Sequence, residues 1–303
     1  MNKLILAAAA FAALAPAMPV AARPSDPASA ETRLGHISVI KLGAGSPVVF
    51  IPGLASPRAS WGGIVPALAK THSVYLVQVN GFGGDAPGAN LKPGILDGIV
   101  ADLSGYLAAR KVGPVALVGH SMGGLASLMV ARAHPRQVDR VMIVDALPWF
   151  PVLLARGGPD PSPGQVAAIA AMMRDKVAAR FGRPIDPATV KADVDGLAVK
   201  PESRVQMAKW AAAADPRVTA ELLYEDMSTD LRPALPSLPM PVTIVAPWSA
   251  TSGFGKDRTM AFYQRQYAAA PHVSFVDIPD AGHFVMLDQP AAFAAALDAF
   301  LKR

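Results

Sequence analysis

Val115-Ala116-Leu117-Val118-Gly119-His120-Ser121-Met122-Gly123-Gly124 runs four apolar residues straight into a Gly-x-Ser-x-Gly turn. Leu125, Leu128 and Met129 follow at helical spacing, so the stretch predicts a buried parallel strand, a sharp bend and a helix. A chain that bends this abruptly holds the residue at the corner in a strained conformation, its side chain projecting clear of the sheet. Gly119 and Gly123 flank Ser121 because a β-carbon at either place would collide with the neighbouring strand or helix. Ser121 is therefore the candidate nucleophile. Its hydroxyl sits beside the first unpaired amides of a helix, whose dipole favours an oxygen that turns anionic.

The flanking chain repeats the strand–helix rhythm. Upstream, Gly35 to Leu42 alternates like an entry strand of antiparallel type, and Pro47 to Ile51 is a buried strand ending at Pro52-Gly53. Trp61, Ile64 and Leu68 fall at helical spacing, and Val74 to Val79 is a strand closed by Asn80-Gly81-Phe82-Gly83-Gly84. Ile95, Ile99, Leu103 and Leu107 form a helical stripe leading into Val115. Downstream, Val138 to Val144, Pro241 to Ala246 and Val273 to Ile278 read as strands, and Pro290 opens a closing helix with Phe293, Leu297 and Phe300 inward. The expectation is an α/β fold: a mostly parallel central sheet with helices on both faces. Such sheets gather their sites at the carboxyl ends of the strands, where Ser121, Gly53-Leu54 and Asp145 all fall.

The rhythm breaks after Leu147. Residues 148–238 contain many prolines and helical stripes but no good strand, which predicts a helical cap inserted into a core of residues 33–147 and 239–303. Val166, Ile169, Met173, Val177 and Phe181 form one stripe; Leu223, Met227 and Leu231 form another. Met172, Met207, Trp210 and Tyr224 are candidates to line an acyl or aromatic pocket, or simply to pack the cap onto the core.

A serine hydroxyl holds its proton at neutral pH, so Ser121 needs a histidine base and a carboxylate to fix that base's tautomer. Of the six histidines, His283 is the one in a loop just after the last strand, within reach of the central strand's tip. His36 and His72 read as strand or turn surface, His134 ends a helix before Pro135, and His272 lies in a loop. His120 occupies the free position of the serine turn.

With Gly119-His120-Ser121-Met122-Gly123, Phe50-Ile51-Pro52-Gly53-Leu54, Gly81-Phe82-Gly83 and Gly282-His283-Phe284 in view, residues 33–303 resemble the capped esterases and lipase-like enzymes of the α/β-hydrolase fold. The resemblance implies a Ser, acid, His order and an oxyanion hole of two backbone amides, by position those of Leu54 and Met122. The family often has His-Gly in the early loop where this chain has Pro52-Gly53, but only the backbone amide of Leu54 is needed. The acid is left open between two residues. The family usually places it after the strand ending at Ala246, where Pro247-Trp248-Ser249-Ala250 offers no carboxylate and Asp257 comes later. Asp145, at the tip of the preceding strand, takes the position used by relatives similar to the haloalkane dehalogenases; a capping role for it is the plainer alternative. Dehalogenation itself is disfavoured, since its nucleophile would be an aspartate where this chain has Ser121. The activity implied is hydrolysis of an ester-type bond of a small acyl substrate (carboxylic ester, thioester or lactone). The alternatives are an amide hydrolase of the prolyl aminopeptidase type, or a non-catalytic binder that keeps the fold.

Met1-Asn2-Lys3 followed by an apolar run to Leu14 and small residues up to Ala22 predicts a signal peptide over 1–22, then a flexible tether over 23–32. The expected location is periplasmic or secreted, with no stable membrane anchor after cleavage. The 303-residue chain has no cysteine, so it folds without disulfides wherever it resides. Its net charge of +5 comes from scattered rather than striped Lys and Arg, which argues against a nucleic-acid surface. No metal cluster and no phosphate-cradling glycine loop is legible, so neither metal nor cofactor is expected.

Overall fold

The computed structural model describes residues 31–155, 158–184, 186–250 and 255–302. The expected signal segment 1–22 and most of the tether lie outside the described residues. The tether's last residue does not: Thr32 pairs with Val39 in a short strand.

Eight strands form one sheet: β1 (Thr32–Arg33), β2 (Ile37–Leu42), β3 (Ser46–Ile51), β4 (His72–Val79), β5 (Val115–His120), β6 (Val138–Val144), β7 (Val242–Trp248) and β8 (Val273–Pro279). Their spatial order is β1-β2-β4-β3-β5-β6-β7-β8. β2 runs antiparallel to β1 and β4, and every other pairing is parallel. Helices α1 (Val65–Leu68), α2 (Ile95–Ala109), α3 (Met122–Ala133), α8 (Lys256–Gln266), α9 (Val285–Asp288) and α10 (Pro290–Leu301) belong to the core. The insertion contributes α4 (Pro163–Ala178), α5 (Pro187–Val194), α6 (Pro201–Ala213) and α7 (Pro216–Ser228).

The sheet is buried on both faces, which is why its strands are continuous apolar runs. On β3, Val49 and Ile51 join the core under α2, α3 and α8, while Val48 and Phe50 point into the core under α10. There Phe50, Trp61 and Phe293 pack with ring centroids 5.1 and 6.0 Å apart. Parallel register then aligns the strand ends. Ile51 lies beside Gly119, His120 beside Val144, and Val144 beside Val245. The residues just past each of these ends therefore share one crevice.

The cap is helical, α4 packed on α7 and α5 on α6. It is fastened to the core at named points. The Glu225 carboxylate of α7 accepts from the amides of Gly94, Ile95 and Leu96 at 2.6, 2.9 and 2.7 Å, capping α2. Fully buried Asp288 accepts from Val199 and Lys200 at the cap's root and from Gly282 in the core, at 2.8, 3.1 and 2.9 Å. Two readings of the cap need correction. Met172 is 62% exposed and Phe181 51% exposed, so neither faces the interior. α4 buries only Val166 and Ala170, and Phe181 lies beyond its end, under the Arg217 guanidinium at 3.6 Å.

Candidate active site

Ser121 stands at the corner between β5 and α3 with φ 53° and ψ −127°, a conformation that non-glycine residues rarely adopt. The corner is held from three sides. Its amide donates to the Val144 carbonyl at 3.0 Å, and its carbonyl accepts from Gly124 at 2.7 Å and Leu125 at 3.2 Å. A β-carbon on Gly119 would meet the Gly123 carbonyl and the Ser127 hydroxyl, and one on Gly123 would meet the carbonyls of Ile51 and Pro52. The helix can approach the strand this closely only because both positions lack side chains.

The loop after β3 closes against the same corner. A β-carbon on Gly53 would lie 2.7 Å from His120 Nδ1 and 3.1 Å from Ser121 Cβ. Leu54 follows Gly53 in this loop, and Met122 opens α3 directly after Ser121.

His283 follows β8, and its Nδ1 bonds Asp145 Oδ2 at 2.6 Å. Asp145 lies one residue past β6, with a positive φ of 47° and its amide donating to the Val245 carbonyl at 3.0 Å. The structure thus brings Asp145 to the imidazole. Asp257 sits exposed in the first turn of α8, and none of the contacts among the described residues joins it to His283. Burial pushes the Asp145 carboxyl up, but the His283 charge and hydrogen bonds from His283 and Tyr263 outweigh this and hold it below the ordinary value. A carboxylate on Nδ1 fixes the proton there and leaves Nε2 as the basic nitrogen.

Four side chains around this pair escaped the sequence reading. The Tyr263 hydroxyl, from α8, donates to Asp145 Oδ1, and Tyr267 one turn on donates to the Ala146 carbonyl at 2.9 Å. Burial, with the Asp145 charge second, raises the Tyr263 hydroxyl well above its usual range, so it remains a donor. His120 is fully buried and its Nε2 donates to the His283 carbonyl at 2.8 Å, the two rings 4.6 Å apart. Burial, reinforced by His283, lowers its pKa to about 3, so it stays neutral and works as a support for the His283 loop. Asp226 of α7 is the fourth. Burial raises its carboxyl to about 7, and His283 is the charge that opposes this. A tyrosine 118 residues from the acid it meets, or a histidine inside the serine turn, carries no local signal; only the tertiary arrangement assigns these roles.

Among the described residues there is no group of three or more His, Cys, Asp or Glu placed to hold a metal ion. What the arrangement can do is hold an imidazole, oriented by a half-buried carboxylate, beside a corner that presents a serine hydroxyl.

A family model described as "Alpha/beta hydrolase family" matches residues 48–296. The chain is 24% identical over 259 residues to N-formylmaleamate deformylase of Pseudomonas putida, covering 86% of this chain and 90% of that protein. It is 31% identical over 150 residues to the pimeloyl-[acyl-carrier protein] methyl ester esterase of Aeromonas hydrophila. That match spans 50% of this chain and only 55% of the relative's length. Among solved structures, an esterase from Thermogutta terrifontis is similar with a TM-score of 0.72 at 21% identity, covering 90% of this chain and 98% of that one. The enol-lactonase of Burkholderia xenovorans is similar with a TM-score of 0.70 at 18% identity, covering 88% of this chain and 96% of that one. At such identities these two likenesses speak for the fold alone.

Proposed function

The chain belongs to the alpha/beta hydrolase family, and from that premise we propose that it is a serine hydrolase cleaving carboxylic esters through an acyl-enzyme on Ser121. The observation that carries the reading is the 2.6 Å bond between His283 Nδ1 and Asp145 Oδ2 at the crevice where Ser121 stands on its strained corner.

In the first half-reaction His283 Nε2 takes the Ser121 proton as Oγ attacks the ester carbonyl, and the carbonyl oxygen becomes an anion facing the Leu54 and Met122 amides. The imidazolium then gives its proton to the departing alcohol oxygen, leaving an acyl group on Ser121. Water repeats the attack, loses its proton to His283, and the acid leaves with Ser121 restored. Asp145 keeps Nδ1 protonated throughout and balances the imidazolium charge. Losing one oxyanion donor typically costs on the order of a hundredfold or more in rate.

A fluorophosphonate probe tests the nucleophile. It labels the native protein and not Ser121→Ala; labelling of both, or of neither, rejects the reading. We further propose that the chain is exported, with residues 1–22 removed. The support is the basic start and short apolar run that precede small residues. The test is the N-terminal residue of the protein recovered from the periplasmic or culture fraction, expected near Arg23. A full-length chain retained in the cytoplasm rejects export.

A further inference from the structure

α5 and α6 pack on each other in the insertion, and each carries an apolar row at helical spacing that the mechanism does not use. On α5 the row is Pro187, Val190 and Val194; on α6 it is Val205, Ala208 and Ala212. The two rows wall a groove of about 560 Å³, a size within the range of small-molecule sites. Val194 is buried, whereas Val205 is 57% exposed and is left for solvent or a ligand to cover. Ser203 and Met207 are buried on the other side of α6, where Trp210 meets Phe284 with ring centroids 6.1 Å apart. The groove therefore opens away from the crevice that holds His283.

The groove is held in shape from below. Arg204 Nε and Nη2 donate to the carbonyls of Ala198 and Val199 at 2.8 and 3.1 Å, while Asp288 accepts from the amides of Val199 and Lys200. The turn joining the two helices is thus fixed on both sides, and a preformed site costs little ordering when it fills. Its charges leave one sign to spare. Lys191 pairs with Asp195, whereas Arg204 and Lys209 have no acid partner among the described residues. Apolar walls flanked by two uncompensated cations suit a ligand with an aliphatic body and a negative head. The α6 wall runs from Pro201 to Ala212, about 16 Å at helical rise, which is the length of one extended acyl chain of about a dozen carbons. A second copy of the chain fits less well: a stable interface needs about 1,200–2,000 Å² and aromatic anchors, and no aromatic lines the groove. A membrane surface fits less well too, because lying in it takes a wide face of large apolar side chains, and Val205 is the exposed one here.

We propose that the groove between α5 and α6 binds a free fatty-acid anion, its chain laid along Val190, Val205 and Ala208 and its carboxylate held by Arg204 and Lys209. The site is separate from the ester crevice and does not depend on the ester reading.

The probe is dodecanoate, titrated calorimetrically into the folded protein below the concentration at which it forms micelles. One saturable site is expected. Octanoate binds roughly tenfold more weakly, because four methylenes no longer reach the apolar walls. Dodecyltrimethylammonium, with the same chain and the opposite charge, does not bind. Val205→Asp sets a charge against the chain and weakens dodecanoate on the order of tenfold or more. Lys209→Glu weakens it several-fold. Both positions are exposed, so both variants fold, and the comparison of carboxylate with ammonium needs no variant at all. Dodecanoate that fails to bind, or binds no better than the ammonium, overturns the assignment. Equal binding to the native protein and Val205→Asp also overturns it, since the fatty acid then sits elsewhere, the ester crevice included. So does binding to phosphatidylglycerol vesicles, or self-association, that Val205→Asp abolishes in a protein indifferent to dodecanoate: the groove then belongs to a lipid surface or to a second copy.

Discussion

Tyr263 donates its hydroxyl to the one carboxylate oxygen of Asp145 that His283 leaves free, so a side chain from α8 and one from the loop after β8 divide the acid between them. Tyr263→Phe removes a donor from a buried charge, which costs about 1–3 kcal/mol. We expect kcat/KM on p-nitrophenyl acetate to fall roughly tenfold, with most protein still folded. The Asp145 carboxyl, now less stabilised as an anion, rises toward its ordinary value, so the acid limb of the rate profile moves to higher pH. A profile that superimposes on the native one refutes the role.

Asp145→Asn supplies Nδ1 with an acceptor or donor of the wrong kind and loses the balancing charge. Turnover should drop by about ten-thousandfold, the loss seen for the equivalent change in the serine protease triad. Asp257→Asn, on the exposed first turn of α8, should stay within twofold or so of native, as surface changes away from special features do. Near-native rates in both variants would remove Asp145 from the mechanism.

His120 makes a prediction about stability. Its ordinary pKa is 6.5 and burial lowers it to about 3 in the folded chain. Across that window the unfolded chain binds a proton that the folded chain refuses, so native stability declines as pH falls. His120→Leu deletes this slope while leaving the His283 carbonyl without its donor, at a cost of about 1–3 kcal/mol. Urea midpoints measured from neutral to mildly acidic pH should therefore converge between variant and native protein. Parallel curves would mean that His120 is not held neutral.

Asp226 carries the opposite sign. Between its ordinary 3.8 and about 7 the folded chain keeps a proton that the unfolded chain has released, so its contribution to stability is lost as pH rises through that range. Asp226→Asn cannot ionise. Its melting temperature relative to native should climb with pH and level off above about 7, with a gain of at most ~4 kcal/mol. A difference that does not vary with pH contradicts the enclosed acid.

These tests divide along the same line as sequence legibility. The sheet and Ser121 were readable because a strand, a bend and a helix are written within ten residues, with glycines marking where the backbones must touch. His283 was readable from strand-end position. The sequence does not decide between Asp145 and Asp257, because the choice depends on which strand tip approaches a loop 138 residues away. Tyr263, His120 and Asp226 had no signature at all: each looks like ordinary packing until neighbouring elements are in place. Met172 was misplaced for a related reason. α4 buries only two of its residues, so its apolar positions do not mark an inner face.

Asp288 has a bearing on how this protein can be re-engineered. Its single carboxylate holds the loop that carries His283 together with residues 199 and 200, where the insertion's second half begins. Glu225 does the same between α7 and the start of α2. A transplanted insertion from another member of the fold would therefore arrive with its seams unmatched unless it brought its own acceptors for these amides. The natural joints for such a graft lie outside the interval 197–228, so this half of the insertion and the imidazole beneath it should be inherited as one block.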